Sequence, residues 1–425
     1  MITPYYQDDS VTLHHGDCLD MLRADDYGYD WNLGYRSARM FPDNSVDAVI
    51  TDPPYGIAFM GKAWDQPGEF GSERRNGSPQ RTQREGLAMD AGRYDLSPAA
   101  MLNFQRWCTA WATECLRILK PGGHLLAFGG SRTWHRLATA IEDAGFEMRD
   151  SIAWLYAQGF PKSMNLQGGL GTALKPAFEP IVVARKPLAG TVAANVLEYG
   201  TGALNIDACR IPTGDKLGGG STTRGQRMKD GWHRPWMDDP DMVAANAERS
   251  RASVARSEEL GRWPTNVVLD KHQAEALDRQ TGVLHSGTMR AGTERQPRAG
   301  GTIYGADTRT FAPADTYGDS GGASRFFPVF RYEAKAPTSE RPNADGVQHP
   351  TVKPLELMRW LVRLVAPAGA VVLEPFAGSG TTAEACVLED RQCIAIEREA
   401  DYLPLIVSRL QKPVQAGLFG LEAGA

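Results

Sequence analysis

Short apolar runs alternate with amphipathic segments in both the early and the late part of the chain. The early runs SVDAVIT, GGHLLAF, MRDSIAWLY and EPIVVA are typical of buried strands, and helical spacing occupies residues 99–119 and 132–144. In the late part, LELMRWLVRLV, TTAEACVLED and DYLPLIVSRL have helical spacing, whereas AVVLEP and CIAIE are typical of strands. Such alternation predicts a parallel α/β sheet.

Neither part has enough strands for a full doubly wound sheet, so the pattern predicts one domain built from both ends of the chain. Residues 58–98 and 212–262 are rich in Gly, Ser, Pro, Arg and Asp and lack apolar periodicity, which predicts long loops or insertions. The predicted organisation is one half-domain over 1–186, an inserted module over 187–348, the second half-domain over 349–412, and a tail over 413–425.

Composition agrees with a globular protein. The chain has 425 residues, of which 42% are hydrophobic, and a net charge of −5, which allows two or three domains. No stretch approaches the roughly 20 apolar residues of a membrane helix, and the N-terminus lacks the pattern of a signal peptide. We therefore expect a cytoplasmic protein without membrane contact. Its mild acidity argues against a nonspecific polyanion binder but allows a local basic groove.

The six cysteines are scattered along the sequence, with no CxxC pair and no nearby histidine at zinc-binding spacing. We expect buried thiols and no metal site.

The first candidate catalytic motif is Asp52-Pro53-Pro54-Tyr55, which directly follows the run SVDAVIT. In an open α/β sheet this position is the carboxyl edge of a strand, where ligands bind. Consecutive prolines cannot continue a central strand, so the backbone must leave the sheet with its carbonyl groups free. The Asp52 carboxylate and the Pro53 carbonyl can then accept both hydrogen bonds of a planar amine, while Tyr55 stacks on its ring. A simple strand-terminating turn is the alternative interpretation.

A glycine loop follows the late strand AVVLEP. The loop and its approach contain Glu374, Pro375, Phe376, Gly378 and Gly380. Glycines let a ligand approach the backbone closely, and Glu397 ends the next strand about 20 residues further on, as an acidic ribose ligand would. This combination predicts a site for a nucleoside-containing cofactor.

NAD is the rival cofactor, because the segment also fits the GxGxxG/A pattern. However, Glu374 lies so close to the glycines that it would repel a pyrophosphate, whereas it would attract a sulfonium with an α-amino group. Nothing else in the sequence supplies hydride chemistry.

Together the motifs resemble those of the amino-methyltransferases that act on DNA, which use S-adenosylmethionine and carry (D/N/S)PP(Y/F) and FxGxG motifs. The run HPTVKP at 349–354 is similar to that family's HPTxKP element, and Gly16-Asp17 to its upstream GD motif. Here the catalytic motif precedes the cofactor motif, with a target-recognition region between them, as in the permuted β group. The resemblance covers about residues 11–186 and 349–410.

The resemblance implies a Rossmann-like methyltransferase sheet, circularly permuted, in which the chain begins at the third strand and finishes after the second. It implies double-stranded DNA as the partner, allows a homodimer, and leaves any restriction partner unspecified. The implied catalytic residues are Asp52, Pro53, Pro54 and Tyr55. The implied cofactor-binding residues are Asp17, Thr351, Lys353, Glu374, Pro375, Phe376, Gly378, Gly380 and Glu397. In that set Glu397 takes the ribose hydroxyls and Glu374 the methionine end, although Lys353 can equally be a solvated lysine at a helix start.

The implied reaction is direct in-line transfer of a methyl group to an exocyclic amine of a base flipped out of the duplex. The DPPY form favours adenine N6, and cytosine N4 is the alternative because both amines present the same two hydrogens. Cytosine C5 chemistry is excluded by the absence of a Pro-Cys nucleophile. Glutamine or RNA amino-methylation, an idle DNA-binding scaffold and an NAD-dependent oxidoreductase are the remaining alternatives.

The inserted module over 187–348 is where we expect the DNA sequence to be read. Its candidate contacts include Arg325 and the aromatic cluster Trp232, His233 and Trp236, although many of its arginines can equally form a solvated surface. Trp154 and Phe160 are candidates for a wall beside the base, with burial in the core as the alternative.

Overall fold

The computed structural model describes residues 3–30, 34–57, 65, 96–157, 159, 166–217, 238–288, 290, 292–294, 318–330 and 347–411. Most of the predicted 58–98 insertion and the whole predicted tail lie outside these residues, as do Phe160 and the cluster at 232–236. The chain divides into two compact units. The first contains Met1–Asn205, Asn266–Lys271 and Phe330–Ala425, and the second contains Ile206–Thr265 and His272–Val329.

The strands are numbered along the chain. They are β1 (Tyr6–Gln7), β2 (Val11–His15), β3 (Asp25–Asp30), β4 (Gly34–Arg39), β5 (Val46–Thr51), β6 (Leu119–Phe128), β7 (Glu147–Leu155), β8 (Phe178–Arg185), β9 (Val267–Asp270), β10 (Leu284–His285), β11 (Ser320–Gly321), β12 (Val329–Phe330), β13 (Val371–Glu374) and β14 (Gln392–Glu397). In the first unit nine of these strands form a sheet in the order β1-β2-β14-β13-β5-β6-β8-β7-β9, and β3 and β4 pair separately with each other.

The helices are numbered in the same way. They are α1 (Cys18–Arg23), α2 (Pro98–Ile118), α3 (Trp134–Asp143), α4 (Val192–Tyr199), α5 (Pro240–Leu260), α6 (Lys271–Thr281), α7 (Leu355–Val365), α8 (Thr381–Leu388) and α9 (Leu403–Leu410). None of the helices in the described ranges is both long enough and apolar enough to cross a membrane.

The sheet of the first unit contains strands from both ends of the chain. The late strands β13 and β14 lie between the early strands β2 and β5, and all four neighbouring pairs from β2 to β6 are parallel. Only β8 runs against both of its neighbours, β6 and β7. The predicted mostly parallel α/β fold is therefore confirmed, while the assignment to the permuted β group stays a prediction.

The sequence explains why α2 forms and packs against this sheet. Ser97 caps the helix by accepting a hydrogen bond from the amide of Ala100, and Pro98 occupies the first turn, where no amide donor is needed. Apolar residues at helical spacing, among them Phe104 and Trp111, are buried against the core. This helix contacts β6, and the neighbouring strand β5, which leads into Asp52, is buried along its whole length.

Residues 212–262 were predicted to be a long loop or an insertion, and the loop interpretation is wrong for 240–260, which form α5. Asp239 caps this helix and Pro240 starts it. The helix is rich in Ala, Glu and Arg, which favour helix formation, but it buries none of its residues. Apolar periodicity was absent for that reason, and the helix was missed. The six cysteines are all buried free thiols, as predicted.

The second unit differs from the predicted inserted module over 187–348, since residues 187–205, 266–271 and 330–348 belong to the first unit. Asn195 of α4 accounts for part of this difference, because its amide group donates to the carbonyl of Pro121 at the start of β6. Within the second unit the guanidinium groups of Arg262 and Arg325 both lie over the ring of Phe326.

Candidate active site

Four parallel strands and the start of β8 bring the predicted site residues to one edge of the sheet. Strand β5 leads into Asp52, β13 ends in Glu374, β14 ends in Glu397, and β2 leads into Asp17. These residues line one cavity of about 1100 Å³ that lies within the first unit. We call the segment Asp52–Tyr55 the acid-and-proline corner. This corner and the glycine loop are far apart in the sequence, but they open onto the same cavity.

The corner after β5 is organised by a lysine from the other end of the chain. The ammonium of Lys353 lies 2.7 Å from Oδ2 of Asp52 and 3.2 Å from Oε2 of Glu179. The hydroxyl of Tyr55 donates to Oδ1 of Asp52 at 2.8 Å and accepts from Lys353 at 3.2 Å. The alternative reading of Lys353 as a solvated lysine is thus wrong, because its side chain is only 12% exposed and pairs with two carboxylates.

Burial changes the protonation behaviour of this corner. Burial alone lowers the pKa of Lys353, but the carboxylates of Asp52 and Glu179 outweigh it and raise that pKa above its usual value. Burial raises the pKa of Glu179, and the nearby ammonium of Lys353 opposes the rise. Lys353 is therefore a firmly charged ammonium held between two acids.

Glu374 joins the two motifs. Its Oε1 accepts a hydrogen bond from the hydroxyl of Thr51, the residue before Asp52, at 2.5 Å, and from the amide of Phe376 at 3.0 Å. Its Oε2 accepts from the hydroxyl of Thr382 at 2.6 Å. Burial raises the pKa of Glu374 to about 8, although these hydrogen bonds favour the ionised form. A cationic ligand in the cavity would complete the stabilisation of its charge.

Glu397 fixes the shape of the glycine loop. One carboxylate oxygen accepts from the amide of Gly378 and the other from the amide of Glu399, each at 2.7 Å. Burial raises the pKa of Glu397 to about 7. Each of these oxygens keeps a second lone pair, so the predicted contact with ribose hydroxyls is compatible with the geometry and stays a prediction.

The two glycines of the loop have different surroundings. Gly378 lines the cavity with a left-handed φ of +53°, and a Cβ there would meet the His349 ring at 3.2 Å. Gly380 is not among the residues that line the cavity, and a Cβ there would meet Cγ2 of Ile406 at 2.9 Å. The close approach of a ligand to Gly378 therefore stays a prediction, whereas the absence of a side chain at Gly380 lets α9 pack against the start of α8.

This difference predicts the effect of substitution on stability. Gly380 and Gly369 share left-handed φ values of +75° and +72°, but a Cβ at Gly369 meets nothing within 4 Å. We expect Gly369→Ala to cost about 1 kcal/mol of unfolding free energy, and Gly380→Ala to cost about 1–3 kcal/mol more through overpacking. Urea unfolding of both variants measures the difference, and equal losses would contradict the packing role.

The other predicted site residues also line the cavity. They are Asp17, Pro53, Pro54, Thr351, Pro375 and Phe376, together with Trp154. Asp17 caps α1 through the amide of Leu19, and the backbone carbonyl of Thr351 bonds to the ring of His349. Phe376 also packs against the rings of Trp107 and Trp111, at 5.5 and 5.6 Å between centroids.

Glu179 is the site residue that the sequence reasoning missed. It is the second residue of β8, within the run EPIVVA that was used only to predict a strand. Since β8 runs antiparallel to β6, its start rather than its end lies at the edge where the parallel strands finish. This strand direction places Glu179 beside Asp52, and the sequence pattern carries no signal of it.

Fold and site together define an α/β protein whose sheet edge combines an acid suited to an amine with a glycine loop suited to a nucleoside. A family model described as DNA methylase, N6_N4_Mtase, matches residues 46–408. The match covers well over half of the chain, which therefore belongs to this family of DNA methylases.

Individual relatives match over shorter stretches. The Type II methyltransferase M.HindIII of Haemophilus influenzae is 27% identical in an alignment over 185 residues, which covers 38% of this chain and 59% of the relative. The Type II methyltransferase M2.MboI of Moraxella bovis is 45% identical over 58 residues, or 14% of this chain and 21% of the relative. The chain thus spans less than two thirds of either relative.

Two solved structures are similar over most of the chain. The PvuII DNA methyltransferase (cytosine-N4-specific) has 13% identity and a TM-score of 0.45, covering 96% of this chain and 88% of its own. The M1.HpyAVI-SAM complex has 15% identity and a TM-score of 0.37, covering 94% of this chain and 99% of its own.

Proposed function

We propose that this DNA methylase transfers a methyl group from S-adenosylmethionine to the exocyclic N6 of adenine in double-stranded DNA. The observation that carries the proposal is the single cavity shared by the Asp52 corner and the Gly378 loop. A base held at the Asp52 corner can therefore face a methyl donor held at the Gly378 loop. A cytoplasmic location in a bacterial or phage-infected cell is part of the proposal, because DNA is the substrate.

The residues of the cavity fit S-adenosylmethionine. Glu374 is a buried carboxylate that already accepts three hydrogen bonds and suits the ammonium of the methionine end. Gly378 leaves room for close approach, and Glu397 lies at the end of β14, where an acid can accept from the ribose. The bound cofactor supplies an electrophilic methyl group on a sulfonium.

The acid-and-proline corner acts on the amine. The lone pair of an exocyclic amine is delocalised into the base, so the nitrogen is a poor nucleophile. The Asp52 carboxylate and the Pro53 carbonyl accept its two N–H bonds, which favours tetrahedral nitrogen and turns the lone pair toward the methyl group. Asp52 then stabilises the positive charge that develops on nitrogen as the N–C bond forms and the S–C bond breaks. The nitrogen afterwards gives up one proton to solvent.

The same proposal extends to DNA recognition. We assign the reading of the DNA sequence to the region over 187–348, whose described part includes the second unit. Arg325 and Arg262 in this unit are paired with Asp319 and Asp215, so other basic side chains of the region are the better candidates for phosphate contacts.

Cofactor binding is expected to release close to one proton near neutral pH. Because burial raises the pKa of Glu374 to about 8, its carboxyl is largely protonated at neutral pH, and a nearby ammonium favours the ionised form. Affinity should therefore rise as the pH increases from about 6 to about 8, by at most about tenfold per unit. Calorimetry in two buffers of different ionisation enthalpy measures the proton release, which Glu374→Gln should remove. Identical enthalpies in both buffers would contradict it.

The proposed function is tested by incubating the protein with methyl-labelled S-adenosylmethionine and unmethylated DNA, followed by mass analysis of the nucleosides. We expect label in N6-methyladenine. Label in N4-methylcytosine would reject the choice of base but keep the amino-methyltransferase, and absence of transfer to any DNA would reject the enzyme. Sequencing of modified DNA from expressing cells then gives the recognition site.

A further inference from the structure

We propose that the ammonium of Lys353 takes the place of the target amine at Asp52, and that Glu179 receives this ammonium when a base enters. The inference rests on the proposed function and deepens it. It gives Glu179 a positioning role, since Glu179 acts through Lys353 rather than on the reacting atoms.

The geometry of Asp52 is the first support. Its Oδ2 is 2.7 Å from the Lys353 ammonium, and its Oδ1 accepts from the Tyr55 hydroxyl. Both oxygens therefore already have a donor, and the contact with Lys353 is a short, charge-assisted hydrogen bond. Each oxygen keeps a second lone pair, so the target amine competes with Lys353 for the negative charge of this carboxylate rather than for a vacant acceptor site.

The positive charge of Lys353 is a second reason why it must leave Asp52 before methyl transfer. Methyl transfer places positive charge on the amine nitrogen, and Asp52 can stabilise that charge only while its own charge is not neutralised by Lys353. An ammonium left on Asp52 would also repel the developing cation at close range. Transfer is therefore expected to be fast only when Lys353 has moved to another anion.

Glu179 is placed to be that anion. Its Oε2 lies 3.2 Å from the same ammonium, so a small shift along the flexible lysine stem exchanges one carboxylate for the other. The ring of Phe128, at 4.7 Å from the ammonium, supports the cation near either acid. The two acids and one lysine leave one negative charge in excess, which is the charge that the amine needs at Asp52.

A simpler role for these residues makes a different prediction. If Lys353 only orients Asp52 and Glu179 only orients Lys353, then loss of Lys353 cannot help a variant that has already lost Glu179. If Lys353 competes with the base, Glu179→Gln traps the ammonium on Asp52, and loss of Lys353 relieves the defect. The two roles therefore differ in the sign of the coupling between the substitutions.

The experiment is a double-mutant cycle with Glu179→Gln, Lys353→Met and the double variant. Single-turnover methyl transfer is measured with labelled S-adenosylmethionine and unmethylated genomic DNA of mixed sequence. We expect Glu179→Gln to slow transfer and to raise the KM for DNA by about tenfold or more, while the Kd for the cofactor stays unchanged. The double variant should be about tenfold faster than Glu179→Gln alone.

Lys175 supplies a matched control. It lines the same cavity, but its ammonium donates to the carbonyl of Ala157 at 2.9 Å. Adding Lys175→Met to Glu179→Gln should therefore leave transfer as slow as in Glu179→Gln alone. If Glu179→Gln does not fold, Glu179→Asp replaces it in the cycle, because the shorter side chain withdraws the carboxylate from Lys353.

Rescue by Lys353→Met but not by Lys175→Met supports the exchange of the ammonium. A double variant that is as slow as Glu179→Gln, or slower, overturns it while the proposed function stands. Absence of transfer by the unaltered protein overturns the proposed function itself, so the two failures are distinguishable.

Discussion

Asp52→Ala is expected to reduce methyl transfer by about 10³-fold or more while leaving the affinity for S-adenosylmethionine nearly unchanged. The carboxylate lies at the acid-and-proline corner, whereas the proposed cofactor contacts come from Glu374, Gly378 and Glu397. Removing Asp52 leaves the Lys353 ammonium paired with Glu179 at 3.2 Å, so the corner keeps a partner for its buried cation. The loss should therefore appear in the transfer step.

Single-turnover assays of transfer and calorimetry of cofactor binding measure the two effects separately. Asp20→Ala is the control, because Asp20 is an exposed acid in the first turn of α1 and does not line the cavity. It should transfer methyl groups at the rate of the unaltered protein. Normal turnover by Asp52→Ala would remove Asp52 from the mechanism.

Glu397→Ala is expected to weaken cofactor binding by about 10–100-fold, the loss that corresponds to hydrogen bonds with a charged acceptor. The substitution removes the proposed ribose contact and also frees the amides of Gly378 and Glu399, which the carboxylate holds at 2.7 Å. Glu397→Gln keeps an acceptor oxygen for one of these amides, so its loss should be smaller.

Equilibrium binding of S-adenosylmethionine tests this expectation. Glu142→Ala provides the control, since Glu142 is an exposed glutamate of α3 away from the cavity. Its affinity should match that of the unaltered protein. An unchanged affinity in Glu397→Ala would reject the ribose role.

Strands β5 and β13 and the motifs that follow them could be predicted because each depends only on the residues of one short stretch of sequence. The runs SVDAVIT and AVVLEP became β5 and β13, and each motif lies where its strand ends. Parallel strands that end at one edge bring their terminal residues together. The structure follows this rule, because β13 pairs with β5 and the hydroxyl of Thr51 donates a hydrogen bond to Glu374.

Features that depend on strand direction or on long-range partners could not be predicted. The run EPIVVA shows that β8 is buried but not that it runs antiparallel, so nothing in the sequence placed Glu179 beside Lys353. Likewise, the pattern of glycines does not distinguish Gly378, which faces the cavity, from Gly380, which faces Ile406. Helix α5 was missed because it buries no apolar face.

The central claim is that an amine held at Asp52 faces a methyl donor held at the Gly378 loop. A structure of the protein with an unreactive S-adenosylmethionine analogue and a duplex that contains its recognition site tests this most directly. We expect the target amine to bond to Asp52 and Pro53, with the reacting atoms about 3–3.5 Å apart and in line. An analogue bound away from the Gly378 loop, or an amine that does not contact Asp52, would contradict the account.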